Sequence, residues 1–332
     1  MELLSIIICN YNYARFLCDA IESAIAVDWP YKEVIVIDDG STDESWCITK
    51  SYGNRVVSIR QENAGLNAAA NMGFRASKGE VIIFLDSDDV LHSSVGQCVA
   101  ERISPSVAKV QYALTRTDVT LQRHGDSWPE FRQAYTPEEV SAEMRRTGMY
   151  DYSVTSGNAW SRWFLDKVFP LPTAREGLAT GFDQYLSRLA PFYGDVATIP
   201  KALGLYRIHG GNNSGIAGFS LAHVEKTIAR EDVYIRLLNL ALAKELLGPV
   251  PENRSEPYVM SKLVMRKLRS GRLDDHTYLI VKFLEYAKSV WFSRHALNKR
   301  LMNIAWAACF CLAPETVAVK LVSKRGARNH LA

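Results

Sequence analysis

One stretch, residues 81–89, limits the possible folds of this chain more than any other. Five apolar residues run without a break and then meet three carboxylates in four positions, in the order Val81-Ile82-Ile83-Phe84-Leu85-Asp86-Ser87-Asp88-Asp89. A short apolar run rich in β-branched residues predicts a strand that is buried on both faces of a sheet. Open parallel sheets bind ligands beyond the carboxyl ends of their strands, so these acids would lie at the mouth of a crevice.

Two interpretations of the acids follow from the residues alone. Clustered carboxylates suit a hard divalent cation, Mg²⁺ or Mn²⁺, which prefers oxygen ligands. The alternative is that residues 87–89 form a turn and cap the next helix through their side-chain oxygens. The stretch by itself favours neither.

The region before this stretch alternates strands with helices. Residues 3–9 and 33–37 repeat the buried-strand pattern, and the second of these runs ends in Asp38-Asp39-Gly40-Ser41, where Ser41 or Thr42 would cap a helix. Apolar residues recur at helical spacing over 16–27, and residues 67–76 form an alanine-rich helical segment. This alternation predicts right-handed crossovers and a mostly parallel, doubly wound α/β sheet with helices on both faces.

The pattern weakens after residue 110 and changes again after residue 218. We predict a strand over 110–120, helices over 136–147 and 162–168, a further helix opened by Gly181-Phe182-Asp183, and short strands at 196–199 and 202–207. The polar, glycine-rich segment 209–215 is typical of a domain edge, and helical periodicity dominates afterwards. The predicted layout is a domain over 1–218, with halves 1–110 and 111–218, and a helical C-terminal region over 219–332.

Bulk properties narrow the class of protein. A net charge of +3 in 332 residues is too small to indicate a nucleic-acid partner. The six cysteines show no metal-binding spacing and indicate reduced thiols of a cytoplasmic protein. We expect no secretory signal, and no apolar run approaches the ~20 residues that span a bilayer.

Four motifs, in this order, resemble the family 2 glycosyltransferases, which have the GT-A fold. They are Ser5-Ile6-Ile7-Ile8-Cys9-Asn10-Tyr11-Asn12, Glu33-Val34-Ile35-Val36-Ile37-Asp38-Asp39-Gly40-Ser41-Thr42-Asp43, Gln61-Glu62-Asn63-Ala64-Gly65-Leu66 with Ala69-Ala70-Asn71-Met72-Gly73, and Gly79-Glu80 to Asp89. The similarity continues more loosely through 155–158, 181–183 and 205–209. It covers residues 1 to about 218 and implies a nucleotide-sugar half (1–110) and an acceptor half (111–218).

The resemblance implies roles for four residues of the nucleotide-sugar half. Asp39 would accept a hydrogen bond from the nucleobase imide, and Tyr11 would lie against the base. Asp86 would lie near the ribose and the metal, and Asp88 would be the direct metal ligand. The alternatives are a helix-capping role for Asp39 and a plain surface tyrosine at 11, while Asp38 is expected to hold the loop structurally.

It also implies roles for three residues of the acceptor half. Asp183 would be the general base, with simple helix N-capping as the alternative. His209 would bind the metal or the diphosphate, and the alternative is a loop histidine bonded to backbone. Arg207 would hold phosphate or pair with a carboxylate. The sequence departs from the family at Ala70, where an arginine is common, and a phosphate role would then move to Arg75 or Arg207.

The implied function is metal-dependent, inverting transfer of a sugar from a nucleotide-diphosphate donor, UDP by default, to a hydroxyl of a cell-surface glycan or lipid-linked precursor. Two other classes stay open: a nucleotidyltransferase acting on a sugar phosphate, and a non-catalytic subunit that binds nucleotide sugars or glycans. The C-terminal region is predicted to touch an anionic membrane at its inner face without crossing it. The apolar residues expected there are Val290, Trp291, Phe292 and 304–312, and the basic ones are Arg294, Lys299, Arg300, Lys320, Lys324, Arg325 and Arg328.

Overall fold

The structure is a computed structural model. It describes residues 2–131, 133–210, 221–250, 252, 255–269, 276–291, 297–314, 317–318 and 320–321. The chain forms two compact units: residues 1–144, 150–209 and 237–249 make up the first, and residues 145–149, 210–236 and 250–332 the second. The predicted domain boundary at 218/219 falls within 211–220, outside the described residues.

The first unit is built on one sheet. Its strands are β1 (Leu4–Asn10), β2 (Lys32–Asp38), β3 (Val57–Arg60), β4 (Val81–Asp86), β5 (Val90–Leu91), β6 (Val107–Thr117), β7 (Arg123–Trp128), β8 (Asn158–Ser161) and β9 (Asp195–Arg207). Their order is β3-β2-β1-β4-β8-β6-β9-β5, with β7 beside β6. The four strands from β3 to β4 are all parallel, because each is reached through a helical or turn crossover.

The other half of the sheet is mixed. Strand β8 lies antiparallel between β4 and β6, and β6 and β9 are parallel to each other. The two strands predicted at 196–199 and 202–207 are one strand, β9. Pro200 and Lys201 bulge out between the residues that pair with Tyr112 and Ala113, because proline cannot donate to the ladder. The α/β class and the helical C-terminal region are confirmed, but the parallel character is limited to the first half and the β6/β9 pair.

The described helices are α1 (Ala14–Ala26), α2 (Ser45–Ser51), α3 (Leu66–Ala76), α4 (Val95–Ala100), α5 (Pro137–Thr147), α6 (Arg162–Val168), α7 (Phe182–Tyr193), α8 (Leu221–Lys244), α9 (Glu256–Arg269), α10 (His276–Trp291) and α11 (Leu297–Leu312). Helix α1 packs Leu17 and Ile21 against one face of the sheet. Helix α3 covers the other face at Gly73, where an added Cβ would lie 2.3 Å from Ile7. The alanine-rich sequence of α3 therefore serves close approach to the sheet.

The second unit has a small core of its own. Helices α9, α10 and α11 contribute the buried residues Val259, Leu263, Val264, Tyr286, Val290, Ala307 and Phe310. Within the described residues, no helix combines the length and the apolar character required to cross a bilayer.

Candidate active site

Three carboxylates meet where β4 ends. Asp86 is the last residue of β4, and a turn closed by the Asp89 N–H and the Asp86 carbonyl (3.1 Å) brings Asp88 and Asp89 beside it. One oxygen from each carboxylate lies within 4.8 Å of the others. Burial and the negative charge of Asp88 raise the pKa of both Asp86 and Asp89 well above the ordinary range. A bound cation would relieve this repulsion, so the cluster fits a divalent metal ion.

His209 lies beside these carboxylates, although it comes from a different part of the sheet. It follows β9, and its Nε2 lies 2.8 Å from Asp88 Oδ2. The ring is almost fully buried and packs against Tyr13 and Phe16, with centroids 5.4 and 5.1 Å away. Arg15 donates to Nδ1 at 3.5 Å, and because arginine can only donate, Nε2 carries the proton that is donated to Asp88. The predicted metal ligands are thus adjacent, and a metal ion on Nε2 would replace this hydrogen bond.

Arg207 points into the protein. Its backbone N–H donates to Asp89 Oδ1 at 3.1 Å, and its Nε donates to the Asp88 carbonyl at 2.9 Å. The other guanidinium nitrogens donate to the Val119 carbonyl and to Asp19 Oδ2, both at 2.7 Å. The guanidinium thereby fixes the Asp88 loop, and its contacts do not support the predicted role at the donor diphosphate. Pairing with a carboxylate, the alternative considered for Arg207, is what the structure contains.

Asp89 is a buried anchor and not a helix cap. The next helix, α4, begins only at Val95, so the capping alternative for this residue is wrong. Ser156 Oγ donates to Asp89 Oδ2 at 2.7 Å and accepts from the Asp86 N–H at 3.0 Å. This serine joins the two ends of the acidic turn, which leaves Asp86 and Asp88 as the carboxylates that are partly exposed.

Asp39 lies at the end of β2 and supports the neighbouring turn. Its Oδ1 accepts from Gln61 Nε2 (2.7 Å) and the Ala64 N–H (2.9 Å), and its Oδ2 accepts from the Gly65 N–H (2.9 Å). A carboxylate has about four lone-pair sites, so these three bonds leave one acceptor position for a ligand. Asp39 therefore supports the turn at residues 61–65 and does not cap α2, which begins at Ser45, and nucleobase binding stays a prediction.

Tyr11 follows β1 and is 45% exposed. Its neighbour Asn12 adopts a left-handed conformation (φ 59°), and Asn12 Oδ1 accepts from the Thr42 N–H at 2.8 Å. This contact fixes the loop of Tyr11 beside the loop that follows Asp39. Both loops lie at the carboxyl edge of the sheet, because Asn10 and Asp38 are register partners.

The caps predicted after Asp39 are wrong. Helix α2 begins at Ser45, and it is Asp43 that accepts the Ser45 N–H, at 3.0 Å. Ser41 instead uses its hydroxyl to accept from the Asn12 N–H and from Asn10 Nδ2. A helix that starts two residues later than predicted leaves the earlier hydroxyls free to order the loop.

Asp183 is the second residue of α7. The helix is capped by Gly181, which adopts a left-handed conformation (φ 84°), so Asp183 is not the N-cap residue. Phe182 packs edge-on against Phe84 of β4, with centroids 5.0 Å apart, which sets the start of α7 against the end of that strand. The negative charge of Asp183 contributes to the raised pKa of Asp86 and also acts on the buried Lys109 of β6. Asp183 is therefore electrostatically linked to the acidic cluster.

Asn67 and Asn71 of α3 hold the segment before α7 in place. No role was predicted for either residue. Asn67 Nδ2 donates to the carbonyls of Pro172 and Leu178, at 2.8 and 2.9 Å. Asn71 makes a reciprocal pair with Leu171, donating to its carbonyl at 3.0 Å and accepting its N–H at 2.7 Å. Both lie in one of the motifs quoted above, but nothing in the sequence indicates their partners.

The departure at Ala70 is not compensated by Arg75. Helix α3 runs antiparallel to the strands, and just after it the Gly79 N–H donates to Ser5 Oγ at the start of β1. Arg75, in the last turn of α3, therefore lies at the edge of the sheet opposite the acids.

The comparisons with known proteins agree with this architecture. Residues 5–150 match the model of a family described as Glycosyl transferase family 2. A relative named as an uncharacterized glycosyltransferase of Nostoc sp. is 34% identical over 219 residues, which are 63% of this chain and 66% of the relative. Chondroitin synthase of Pasteurella multocida is 32% identical over 165 residues, 47% of this chain and 17% of the synthase. The chain thus spans less than two thirds of each of these relatives.

A solved structure covers nearly the whole chain. S. aureus TarS residues 1–349, in complex with UDP-GlcNAc, matches with a TM-score of 0.57 at 15% identity, over 98% of this chain and 91% of the TarS chain. At this identity the match shows the fold, and it confirms the predicted GT-A-like α/β architecture together with the helical region that follows.

Proposed function

We propose that this chain belongs to glycosyl transferase family 2 and transfers a sugar from a nucleotide-diphosphate donor to a hydroxyl of a glycan. The observation that carries the proposal is the convergence of Asp86, Asp88 and His209 in one cluster, with Asp183 electrostatically linked to it. Carboxylates and an imidazole can hold a metal ion, and a separate carboxylate can act as the base in a metal-assisted displacement at a diphosphate.

The metal part of the proposal rests on the donor set. Asp88 and His209 would hold Mn²⁺ or Mg²⁺, with Asp86 beside them, and an oxygen and imidazole set suits Mn²⁺ well. Bound there, the ion would act as a Lewis acid on the negative charge that develops on the departing diphosphate. Arg207 and Asp89 keep the ligand-bearing loop in position through the contacts described above.

The donor is proposed to be a UDP-sugar. Asp39 retains one acceptor position that would receive the imide N–H of uracil, and exposed Tyr11 offers an aromatic face to the base. The TarS structure, which contains UDP-GlcNAc, supports this choice of nucleotide. A thymine base carries the same imide group. A binding screen that compares the affinities of uracil and thymine nucleotide sugars will identify the nucleotide and the sugar.

The chemical step is proposed to be a single displacement with inversion. Asp183 would take the proton of the acceptor hydroxyl as its oxygen attacks the anomeric carbon, while the bond from that carbon to the diphosphate breaks. A carboxylate in the first turn of a helix is favoured in its ionised form by the helix dipole, which suits this role. The acceptor is proposed to be a cell-surface glycan or its lipid-linked precursor.

Product analysis with labelled nucleotide sugars tests the proposal and separates it from the other two classes. In the presence of Mn²⁺, a glycosyltransferase releases the free nucleoside diphosphate, slowly to water and faster with an acceptor. Release of pyrophosphate would identify a nucleotidyltransferase, and binding without either product would identify a non-catalytic subunit. Asp88→Asn serves as the matched negative control, because the contacts of Arg207 and Ser156 that hold its loop do not use the Asp88 side chain.

We further propose that the second unit contacts an anionic membrane at the inner face of the cell membrane. Apolar side chains stand exposed at helical spacing on α10, at Ile280, Leu284 and Trp291, and on α11, at Leu297, Leu301 and Leu312. We call these six residues the apolar face. The last 57 residues, 276–332, hold nine lysines and arginines against two glutamates, so the charge is complementary to an anionic surface.

The structure changes which residues make up this face. Val290, predicted to be exposed, and Phe310, within the predicted 304–312 face, are instead in the core of the second unit. Of the other predicted residues, Phe292, Arg294, Lys324, Arg325 and Arg328 lie outside the described residues. Among the described ones, Lys299 and Lys320 are exposed.

A further inference from the structure

A buried lysine, which the proposed chemistry does not use directly, lies beneath the start of α7. Lys109 is the third residue of β6 and is fully buried. Its Nζ lies 5.4 Å from the ring centroid of Tyr150, 5.7 Å from that of Tyr152 and 5.2 Å from that of Trp160. Three aromatic faces around one ammonium group form a box that favours its cationic form.

The polar contacts of Lys109 lead to α7. Its Nζ donates to Ser187 Oγ at 2.8 Å and to Tyr150 Oη at 3.3 Å, and Tyr150 Oη in turn donates to the Ser187 carbonyl at 2.7 Å. Ser187 lies four residues after Asp183, so the two side chains lie on the same face of the helix, one turn apart. Lys109 therefore meets the face of α7 that carries Asp183.

We propose that Lys109 is a positioning residue for Asp183: it fixes the first two turns of α7 on the sheet and sets a positive charge against the Asp183 carboxylate. The inference rests on the proposed role of Asp183 as general base. It adds to that proposal a residue whose charge, and not its volume, matters for transfer.

The energetics of the site favour this role over simple packing. Burial lowers the pKa of Lys109 well below its ordinary value, and the negative charge of Asp183 opposes this shift. Among the described residues, the phenols of Tyr150 and Tyr152 also lie around this amino group. A buried charge costs free energy, and an apolar side chain of similar volume would fill the box at lower cost. A lysine is therefore kept here at a cost to stability, and the negative charge that favours its cationic form is that of Asp183, the proposed base.

Lys109→Met tests the inference because methionine keeps the length of the side chain and removes the charge. We expect unchanged or increased thermal stability, an unchanged KM for the donor, and a kcat for transfer reduced by about 10-fold or more. Val110→Ala, the next residue on β6 and part of the core, is the matched control. It should lower stability while kcat per folded molecule is retained.

A double-mutant cycle with Asp183→Asn separates a role through Asp183 from a general structural role. If Lys109 acts through Asp183, Lys109→Met will have little further effect on kcat in the Asp183→Asn background. Multiplicative losses, or a kcat of Lys109→Met within about twofold of wild type, would overturn the inference. An Asp183→Asn variant with wild-type kcat would instead overturn the proposed base, so the two failures are distinguishable.

Discussion

Asp88 presents a carboxylate oxygen to His209 and its backbone carbonyl to Arg207, so a side-chain change there separates metal binding from loop geometry. We predict that Asp88→Asn keeps the fold and lowers Mn²⁺-dependent affinity for UDP by about 10-fold or more, because an amide replaces a charged oxygen ligand. Titration calorimetry with and without Mn²⁺ measures this. Asp28→Asn, at an exposed position after α1, should bind as wild type does. If Asp88→Asn and Asp28→Asn had the same Mn²⁺-dependent affinity for UDP, residues 87–89 would form only a turn and Asp88 would not be a metal ligand.

Asp183 can be tested by a substitution that removes its ability to take a proton. Asparagine has nearly the same shape as aspartate but cannot take a proton. Asp183→Asn should therefore keep stability and donor affinity, while transfer to an acceptor falls by on the order of 10²–10⁴. Rates measured with the labelled donor, together with thermal unfolding, check this against Asp166→Asn, an exposed residue of α6. A loss of stability with normal turnover per folded molecule would show that Asp183 is structural.

The residues that could be anticipated at the site are those that lie in motifs. Asp86, Asp88 and Asp39 follow buried strands, and parallel strands bring their carboxyl ends together whatever the rest of the chain does. His209 and Asp88 are 121 positions apart, and only the family resemblance joined them before the structure did. Arg207 could not be assigned, because the acceptors of a guanidinium depend on loops that have no periodic pattern.

Helix α3 acts as a clamp on the segment that leads into α7, through Asn67 and Asn71. Asn67 is fully buried, and Asn67→Ala would leave the carbonyls of Pro172 and Leu178 without their donor. We predict a loss of about 1–3 kcal/mol in the free energy of unfolding, measured with urea, and a fall in kcat with donor affinity retained. The exposed Asn54→Ala, before β3, should change neither quantity. If Asn67→Ala lowers stability but leaves kcat unchanged, the clamp is not required for catalysis.

Long buried strands were predictable, whereas exposed or very short strands were not. Strands β1, β2 and β4 are apolar runs because helices cover both faces, and all three were predicted. Strand β7 is exposed along nearly its whole length and reads Arg-His-Gly-Asp-Ser-Trp, so no hydrophobic alternation marks it. Strand β8 has only four residues, Asn158–Ser161, and its antiparallel position between β4 and β6 depends on partners distant in sequence.

The family resemblance covers residues 1 to about 218, and most of the second unit lies after this range. The first unit holds every proposed site residue, and the sequence of its first half was sufficient to indicate its fold. The second unit shows only helical periodicity, which predicts helices but not which apolar residues turn inward. Val290 and Trp291 are neighbours on α10, yet Val290 is in the core and Trp291 is exposed. A helix has an apolar stripe wherever it meets a partner, and the sequence does not identify the partner.

Flotation with vesicles can identify what the apolar face binds. We predict that the full chain floats with vesicles that contain phosphatidylglycerol at low ionic strength, and that high salt or neutral vesicles weaken this binding. Leu284→Glu with Leu301→Glu should abolish flotation, because each places a charge on the apolar face. Leu246→Glu, at an exposed leucine of the first unit that is outside this face, should float as wild type does.

A wild-type protein that stays at the bottom of the gradient at low salt would rule out membrane contact. If it then sediments as a dimer that the double substitution dissociates, a second copy of the chain covers the face.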